Sequence, residues 1–267
     1  MVLASAGRPA YGARLAGCLG LHAGAELPAW SMGYRHAKPL DDGGLMTLAT
    51  AMRPIDPRLL QGILSRHLAM YRNKVPTYQA VMLDSLRELW DEHHRNLLDV
   101  GGGTGVIAQA MAELFPVDEV QTVDMVDRFC SSLSVPTRQY DGKTLPFADR
   151  SFAAATLNNV VHHVPVAARM GLLREIRRVV DGPLYIKDHE SCGTLDNLRL
   201  TTMDAIGNIP FGGMIWARYL TRADWERLAA ESGYRIARRA APKQYRKNIY
   251  RLLFPNRLEV AMRFEPT

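Results

Sequence analysis

Short apolar runs and amphipathic stretches alternate along the chain from about residue 56 to its end. Apolar residues that recur every three or four positions predict helices, and runs of four to six residues rich in β-branched side chains predict strands. The predicted strands are Asn96–Val100, Glu119–Val123, Thr137–Tyr140, Ala153–Leu157, Leu184–Lys187, Tyr234–Arg238 and Glu259–Phe264. The first predicted helix begins at Asp56-Pro57. The other predicted helices cover Tyr78–His93, Val106–Phe115, Ala167–Val180 and Thr221–Gly233.

Strands that alternate with helices indicate a mostly parallel sheet with helices on both faces. The last two predicted strands have no long crossover helix between them, so one of them is expected to be antiparallel. The pattern therefore predicts an α/β fold of the Rossmann-like, doubly wound class, with a seven-stranded sheet that contains one antiparallel strand.

The pattern also divides the chain. Residues 1–57 have weak periodicity and are interpreted as a leader or loop that is partly disordered, and residues 58–267 as one domain. Residues 58–95 predict a helical cap. Residues 190–220 interrupt the alternation as an insertion, and their Phe, Met and Trp side chains either form an apolar lid over a substrate or pack on the sheet edge.

A glycine-rich loop follows the first predicted strand and leads into a helix. This order builds a site for a nucleotide-like ligand, because glycines let the backbone turn tightly and approach the ligand. A dinucleotide fingerprint needs glycine at its sixth position, where this chain has Val106, and no acid before the loop, where it has Asp99. The loop glycines are Gly101, Gly102, Gly103 and Gly105.

Asp-x-Gly-x-Gly-x-Gly is the first motif of the class I S-adenosylmethionine-dependent methyltransferases, and residues 96–234 resemble that family. The run at 145–152 resembles a second family motif, although Ala153 stands where the family usually has Asp. Within the family, the chain is most similar to the small-molecule group that includes the ubiquinone-biosynthesis C-methyltransferases. The resemblance implies S-adenosylmethionine as the cofactor and methyl transfer as the activity.

The resemblance also implies a set of cofactor-binding residues beyond Asp99 and the loop glycines. Asp124 matches the acid that accepts hydrogen bonds from both ribose hydroxyls, and Met125 matches the apolar residue against the adenine. Asp141 and Gly142 match the pair that contacts the adenine amino group. Asn158 ends the fourth strand and is assigned to the same site; binding of a polar substrate and a turn-forming role remain alternatives.

Methyl transfer needs the acceptor held in line with the methyl group, and an oxygen or nitrogen acceptor can need a base. His162 and His163 follow the fourth strand, and one of them either acts as a base or, in the favoured reading, packs beside the cofactor. Asp188 and His189 follow the fifth strand, where they either contact substrate or form a polar turn. The candidate catalytic residues are His189, His162 and Asp188.

The distribution of charge along the chain bears on the class of methyl acceptor. The chain has 267 residues and a net charge of +6, and eight basic residues without an acid lie within 235–257. The basicity is thus local, and suits an anionic or lipid-like small molecule, RNA or a plain solvated face. No recognised nucleic-acid module supports RNA, so a small-molecule acceptor leads; an RNA or protein methyltransferase and a non-catalytic cofactor-binding scaffold are the alternatives.

Three separated cysteines show no metal-ligand spacing, so neither a disulfide framework nor a metal site is expected from them. No apolar run is long enough for a membrane span. A cytoplasmic location is expected, with a mitochondrial one as the alternative if the Ala- and Arg-containing residues 1–30 are a transit peptide.

Overall fold

The structure is a computed structural model that describes residues 53–208 and 217–267. Within these ranges seven strands form one sheet in the order β3-β2-β1-β4-β5-β7-β6. All neighbouring pairs are parallel except those of β7, which is antiparallel to both β5 and β6. The predicted sheet with one antiparallel strand is confirmed. The strands are β1 His94–Val100, β2 Val117–Asp124, β3 Thr137–Gln139, β4 Ala154–Asn158, β5 Leu184–His189, β6 Tyr234–Arg239 and β7 Glu259–Pro266.

Helices lie on both faces of this sheet. Successive side chains of a strand point to opposite faces, and Leu97 and Leu98 of β1 accordingly belong to two different apolar clusters. One cluster includes Leu64 and Leu83 from the first two helices, and the other includes Leu173. The α-helices are α1 Pro57–Ser65, α2 Thr77–Arg87, α3 Val106–Leu114, α4 Val166–Val179, α5 Thr194–Asn208, α6 Arg222–Glu231 and α7 Asn248–Leu253.

The helix α6 begins and ends where the sequence predicts. The Thr221 hydroxyl accepts the backbone N–H of Asp224, whose carboxylate accepts the backbone N–H of Thr221, and this reciprocal pair satisfies two free donors at the helix start. After the helix, Gly233 has a φ of +81°, a conformation that glycine adopts without strain.

One predicted helix was wrong in extent, and one helix was not predicted. The helix expected over Tyr78–His93 ends at Arg87, because His94 pairs with Val117 in the sheet and Trp90 stacks on Tyr185 of β5. Within the insertion at 190–220 the structure contains α5, which the sequence pattern does not reveal. Its Thr, Asn, Asp and Gly residues have low helix propensity, so tertiary packing determines the helix.

The proposed leader at 1–57 and the centre of the proposed lid, 209–216, lie outside the described residues, apart from 53–57 of the leader. In that part the Asp56 side chain accepts the Arg58 N–H at 2.8 Å and caps α1. None of the helices in the described ranges is long and apolar enough to cross a bilayer.

Candidate active site

The glycine loop connects the carboxyl end of β1 to α3, at the edge of the sheet where ligands of doubly wound folds bind. A Cβ atom on Gly102 would lie 1.9 Å from the Thr122 hydroxyl oxygen, so no other residue fits there without displacing the loop. Gly105 precedes α3 with a φ of +79°, in the left-handed region. The loop thus lies directly against β2, and its conformation requires glycine.

Asp99 lies beneath the loop and is 1% exposed. Its Oδ1 accepts hydrogen bonds from Thr156 Oγ1 at 2.8 Å and Asn158 Nδ2 at 3.1 Å, and its Oδ2 accepts one from Thr122 Oγ1 at 3.2 Å. Burial raises the pKa of this carboxyl to about 6, although the three hydrogen bonds oppose that shift. Asp99 therefore ties β1 to both of its neighbours at the base of the site.

Asp124 ends β2 opposite the loop and is also buried. Its Oδ2 accepts the Gly103 N–H at 2.8 Å, and its Oδ1 accepts the Val126 N–H at 2.9 Å. Arg128 Nη2 lies 3.9 Å from the same Oδ2. The structure thus brings Asp124 together with the glycine loop, as the sequence leads us to expect.

The other expected cofactor residues at this edge follow β2 and β3. The Met125 side chain packs over Gly142, where an added Cβ would lie 2.7 Å from the Met125 methyl carbon. Asp141 Oδ1 accepts the N–H groups of Thr144 at 2.7 Å and Lys143 at 2.8 Å, which lower the pKa of its carboxyl. Met125 is 55% exposed, so a ring can lie against it.

Asn158 ends β4 between Asp99 and the remaining polar residues. Its Nδ2 donates to Asp99, which fixes the amide, while its Oδ1 is buried and has no hydrogen-bond partner among residues 53–208 and 217–267. A buried acceptor without a partner costs free energy, on the order of 1–3 kcal/mol. A ligand donor at this position would remove that cost, so the site fits a ligand with a polar N–H.

His162 and Asp188 form a buried pair at the ends of β4 and β5. Asp188 Oδ1 accepts His162 Nδ1 and the backbone N–H of His189, and its Oδ2 accepts the Val161 N–H at 3.0 Å. On the other side of the ring, His162 Nε2 lies 3.2 Å from Asp204 Oδ2. Asp188 is 0% exposed, and both of its oxygens accept hydrogen bonds from within the chain.

The charges of this pair follow from its burial. Burial alone would lower the pKa of His162, but Asp188 and Asp204 outweigh it and raise that pKa to about 9. Burial would raise the pKa of Asp188, and His162 instead lowers it to about 2. At neutral pH His162 is therefore protonated on both ring nitrogens, with Nδ1 toward Asp188 and Nε2 toward Asp204, and it cannot accept another proton.

His189 differs from His162 in its environment. Burial, reinforced by the Lys187 charge, lowers its pKa to about 4, so the ring is uncharged at neutral pH. Nδ1 lies 3.9 Å from Asp188 Oδ1, and Nε2 lies 3.9 Å from Glu259 Oε2. In the part of the chain that the structure describes, neither ring nitrogen has a hydrogen-bond partner.

Sequence reasoning missed a buried ion pair beside His189. Lys187 Nζ contacts Glu259 and lies 3.1 Å from the Tyr78 hydroxyl, and Glu259 also accepts Tyr245 Oη at 2.9 Å and Arg246. Glu259 begins the antiparallel strand, so this pairing depends on strand order. The lysine that directly follows the apolar run of this strand was the available signal, since buried lysines are almost always paired.

The basic segment 235–257 is not a free cationic surface. Six of its eight basic side chains form ion pairs within the chain, with acids that are distant in sequence such as Glu88 and Asp196. The six are Arg235, Arg238, Arg239, Lys243, Arg246 and Arg257. These acids neutralise much of the local charge on which the RNA alternative depended.

Comparison with known proteins identifies a methyltransferase domain in part of the chain. Residues 98–182 match a family model described as "Methyltransferase domain". A curated relative, norreticuline-7-O-methyltransferase from Papaver somniferum, is 26% identical over 163 residues, which cover 57% of this chain and 43% of that protein. The chain thus matches less than half the length of this relative.

Solved structures share the fold. Geranyl diphosphate C-methyltransferase from Streptomyces coelicolor, in complex with Mg²⁺, geranyl diphosphate and S-adenosyl-L-homocysteine, aligns with a TM-score of 0.53 at 14% identity, covering 74% of this chain and 82% of its own. Magnesium protoporphyrin IX methyltransferase from Synechocystis, with bound S-adenosylhomocysteine (SAH), gives 0.51 at 14% identity, with coverages of 74% and 87%. The family model thus identifies a methyltransferase domain at residues 98–182, and the strand order of the sheet agrees with the fold of these methyltransferases.

Proposed function

We propose that this protein transfers a methyl group from S-adenosylmethionine to a small-molecule acceptor. The observation that carries the proposal is the hydrogen bond from Gly103 N–H to Asp124 Oδ2, which joins the glycine loop to the acid at the end of β2. Loop and acid share the edge of the sheet where doubly wound folds bind nucleotides. The cofactor supplies an electrophilic methyl group on a sulfonium.

Asp124 is proposed to hold the ribose hydroxyls. Each of its oxygens accepts one backbone N–H, and a carboxylate oxygen has two acceptor positions. Each oxygen can therefore accept one further hydrogen bond from a hydroxyl. Met125 and Gly142 would face the adenine, and Asp141, whose Oδ1 is engaged by its own turn, would offer Oδ2 to the adenine amino group.

Asp99 and Asn158 are proposed to act together at the other end of the cofactor. Because Asp99 is buried and its oxygens accept three side-chain donors, it positions Asn158 and joins β1 to its neighbouring strands. The unpartnered Asn158 Oδ1 is the acceptor that the site presents, and the amino group of the cofactor's methionine portion is a suitable donor.

The acceptor is proposed to lie near the ends of β4 and β5. There Asp188 fixes His162, and His189 is the uncharged member of the group. We expect His189→Ala to slow methyl transfer more than it weakens cofactor binding. The small-molecule class is supported by the named relative and by the internal pairing of segment 235–257; salt-sensitive binding of RNA by the purified protein would contradict it.

Calorimetry with S-adenosylhomocysteine tests the cofactor site without knowledge of the acceptor. Removing a carboxylate that accepts two hydroxyls costs about 3 kcal/mol, so Asp124→Ala should weaken binding on the order of 100-fold. Asp118→Ala is the matched control, because Asp118 lies on the same strand at its opposite end and is exposed. Equal affinities of the two variants would refute the ribose assignment.

A further inference from the structure

Three ligating side chains converge at the carboxyl ends of β4 and β5. His162 follows β4, His189 ends β5 and Asp204 lies on α5. One ligand atom from each lies within 4.8 Å of the others, and all three residues are buried. Bonds of about 2.1 Å to a shared ion allow ligand atoms up to about 4.2 Å apart. A small side-chain rotation therefore suffices to bring all three atoms onto one ion.

Three of the four histidine ring nitrogens in this cluster lack a hydrogen-bond partner among the described residues. Both nitrogens of His189 and Nε2 of His162 lack a partner of hydrogen-bond geometry within residues 53–208 and 217–267. Asp204 Oδ2 is close to His162 Nε2, at 3.2 Å, but is not aligned with its N–H. Two atoms that bind the same metal ion lie at about this distance from each other without a hydrogen bond between them. Buried polar atoms without hydrogen-bond partners are rare in folded proteins, so their presence here requires an explanation.

The surrounding groups match the outer shell of a metal site. Asp188 Oδ1 contacts Nδ1 of His162, on the ring side away from the cluster. A carboxylate in this place fixes the ring and makes the opposite nitrogen a stronger ligand. The Tyr219 hydroxyl donates to Asp204 Oδ2 at 2.6 Å and its ring stacks on His162. Two of the three ligands are therefore oriented by other side chains.

From these contacts we propose that His162, His189 and Asp204 bind one divalent transition-metal ion. Two imidazoles and one carboxylate suit Zn²⁺, Co²⁺, Mn²⁺ or Fe²⁺, whereas Mg²⁺ and Ca²⁺ prefer oxygen ligands. Glu259 is not a fourth ligand, because Lys187, Arg246 and Tyr245 occupy its oxygens. Three protein ligands leave at least one coordination position open, at the sheet edge where the proposed function places the acceptor.

Metal binding itself does not depend on the proposed function, although a role for the ion in holding the acceptor would.

The test is a titration of the full-length, chelator-treated protein with Co²⁺ alone near neutral pH, followed by visible absorption and calorimetry. We expect one equivalent to bind, with visible absorption bands from nitrogen-ligated Co²⁺ and a higher melting temperature. His189→Ala and Asp204→Asn should each weaken binding at least about 100-fold, since even a lost outer-shell partner costs about 10–100-fold. His93→Ala is the matched control, because His93 is exposed and directly precedes the amino end of β1, away from the cluster. This variant should bind Co²⁺ as the wild type does.

Absence of Co²⁺ binding by the wild type would overturn the proposal, and so would unchanged affinity in both ligand variants. If a ligand variant fails to fold, as circular dichroism would show, the wild-type titration still decides whether an ion binds. Asp188→Asn then decides where it binds, because it should weaken Co²⁺ binding about 10–100-fold and unchanged affinity would exclude this cluster. Calorimetry with SAH on the same preparations shows whether the cofactor site is intact. A failure to bind Co²⁺ can therefore be distinguished from a failure of the cofactor site.

Discussion

The buried Asp99 carboxyl makes the stability of the protein depend on pH in an unusual direction. Most native carboxylates have lowered pKa values and favour the folded state as pH rises. Burial instead raises the pKa of Asp99 to about 6, from an ordinary value of 3.8. The perturbation is Asp99→Asn, which keeps the shape of the side chain and an acceptor oxygen for Thr156 and Asn158 but cannot ionise.

The sign and size follow from proton linkage. Between pH 4 and 6, approximately, folded Asp99 keeps its proton while the unfolded chain loses it, so the folded state binds more protons and stability falls as pH rises. A shift of about two pKa units corresponds to about 3 kcal/mol. That cost is absent below the unfolded pKa and complete above the folded pKa.

The assay is urea denaturation of wild type and Asp99→Asn near pH 4 and near pH 7. We expect the free energy of unfolding of the variant, relative to the wild type, to increase by about 2–3 kcal/mol between the two conditions. Shifts from all other titrating groups cancel in this difference. Asp118→Asn, at an exposed position of β2, should not show the increase. Parallel pH profiles for wild type and Asp99→Asn would refute the assignment of a raised pKa to Asp99.

Two further predictions concern packing around the site. Gly102→Ala places a methyl group against the Thr122 hydroxyl, and we expect the affinity for SAH, measured by calorimetry, to fall at least tenfold. Gly171→Ala is the control, because Gly171 lies in a helix with open space around it, and its affinity for SAH should be unchanged. Lys187→Met removes one partner of the buried pair with Glu259 and should lower the free energy of unfolding by about 3–5 kcal/mol in urea titrations. A loss below about 1 kcal/mol, typical of exposed ion pairs, would contradict the burial of that pair.

Local patterns were sufficient to predict the fold. Alternating apolar runs located all seven strands, and the missing crossover before Glu259 indicated the antiparallel strand. The glycine loop and Asp124 could be placed together because each follows a parallel strand, and the carboxyl ends of such strands share one edge.

The contacts at the ends of β4 and β5, where the acceptor is proposed to lie, could not be predicted in the same way. Asp204, which lies 3.2 Å from His162, is on a helix of low propensity that the pattern does not reveal. The internal pairing of segment 235–257 was missed for a related reason. Its partners, such as Glu88 for Lys243 and Asp196 for Arg257, are brought near only by tertiary packing.

The structure adds most to the prediction for Asp99. The resemblance predicts a cofactor-binding residue, and the structure adds that its two oxygens accept three side-chain donors from the neighbouring strands. Only the positions of Thr122 and Thr156 on the neighbouring strands show this, and they depend on strand order.

The central claim is most directly tested by the fate of a labelled methyl group. The protein is incubated with S-adenosylmethionine labelled on its methyl group and with extract separated into low-mass and macromolecular fractions. We expect the label to appear in the low-mass fraction with wild type and Asp118→Ala, and to be strongly reduced with Asp124→Ala. Label found only in protein or RNA, or transfer by Asp124→Ala at the wild-type rate, would contradict the account.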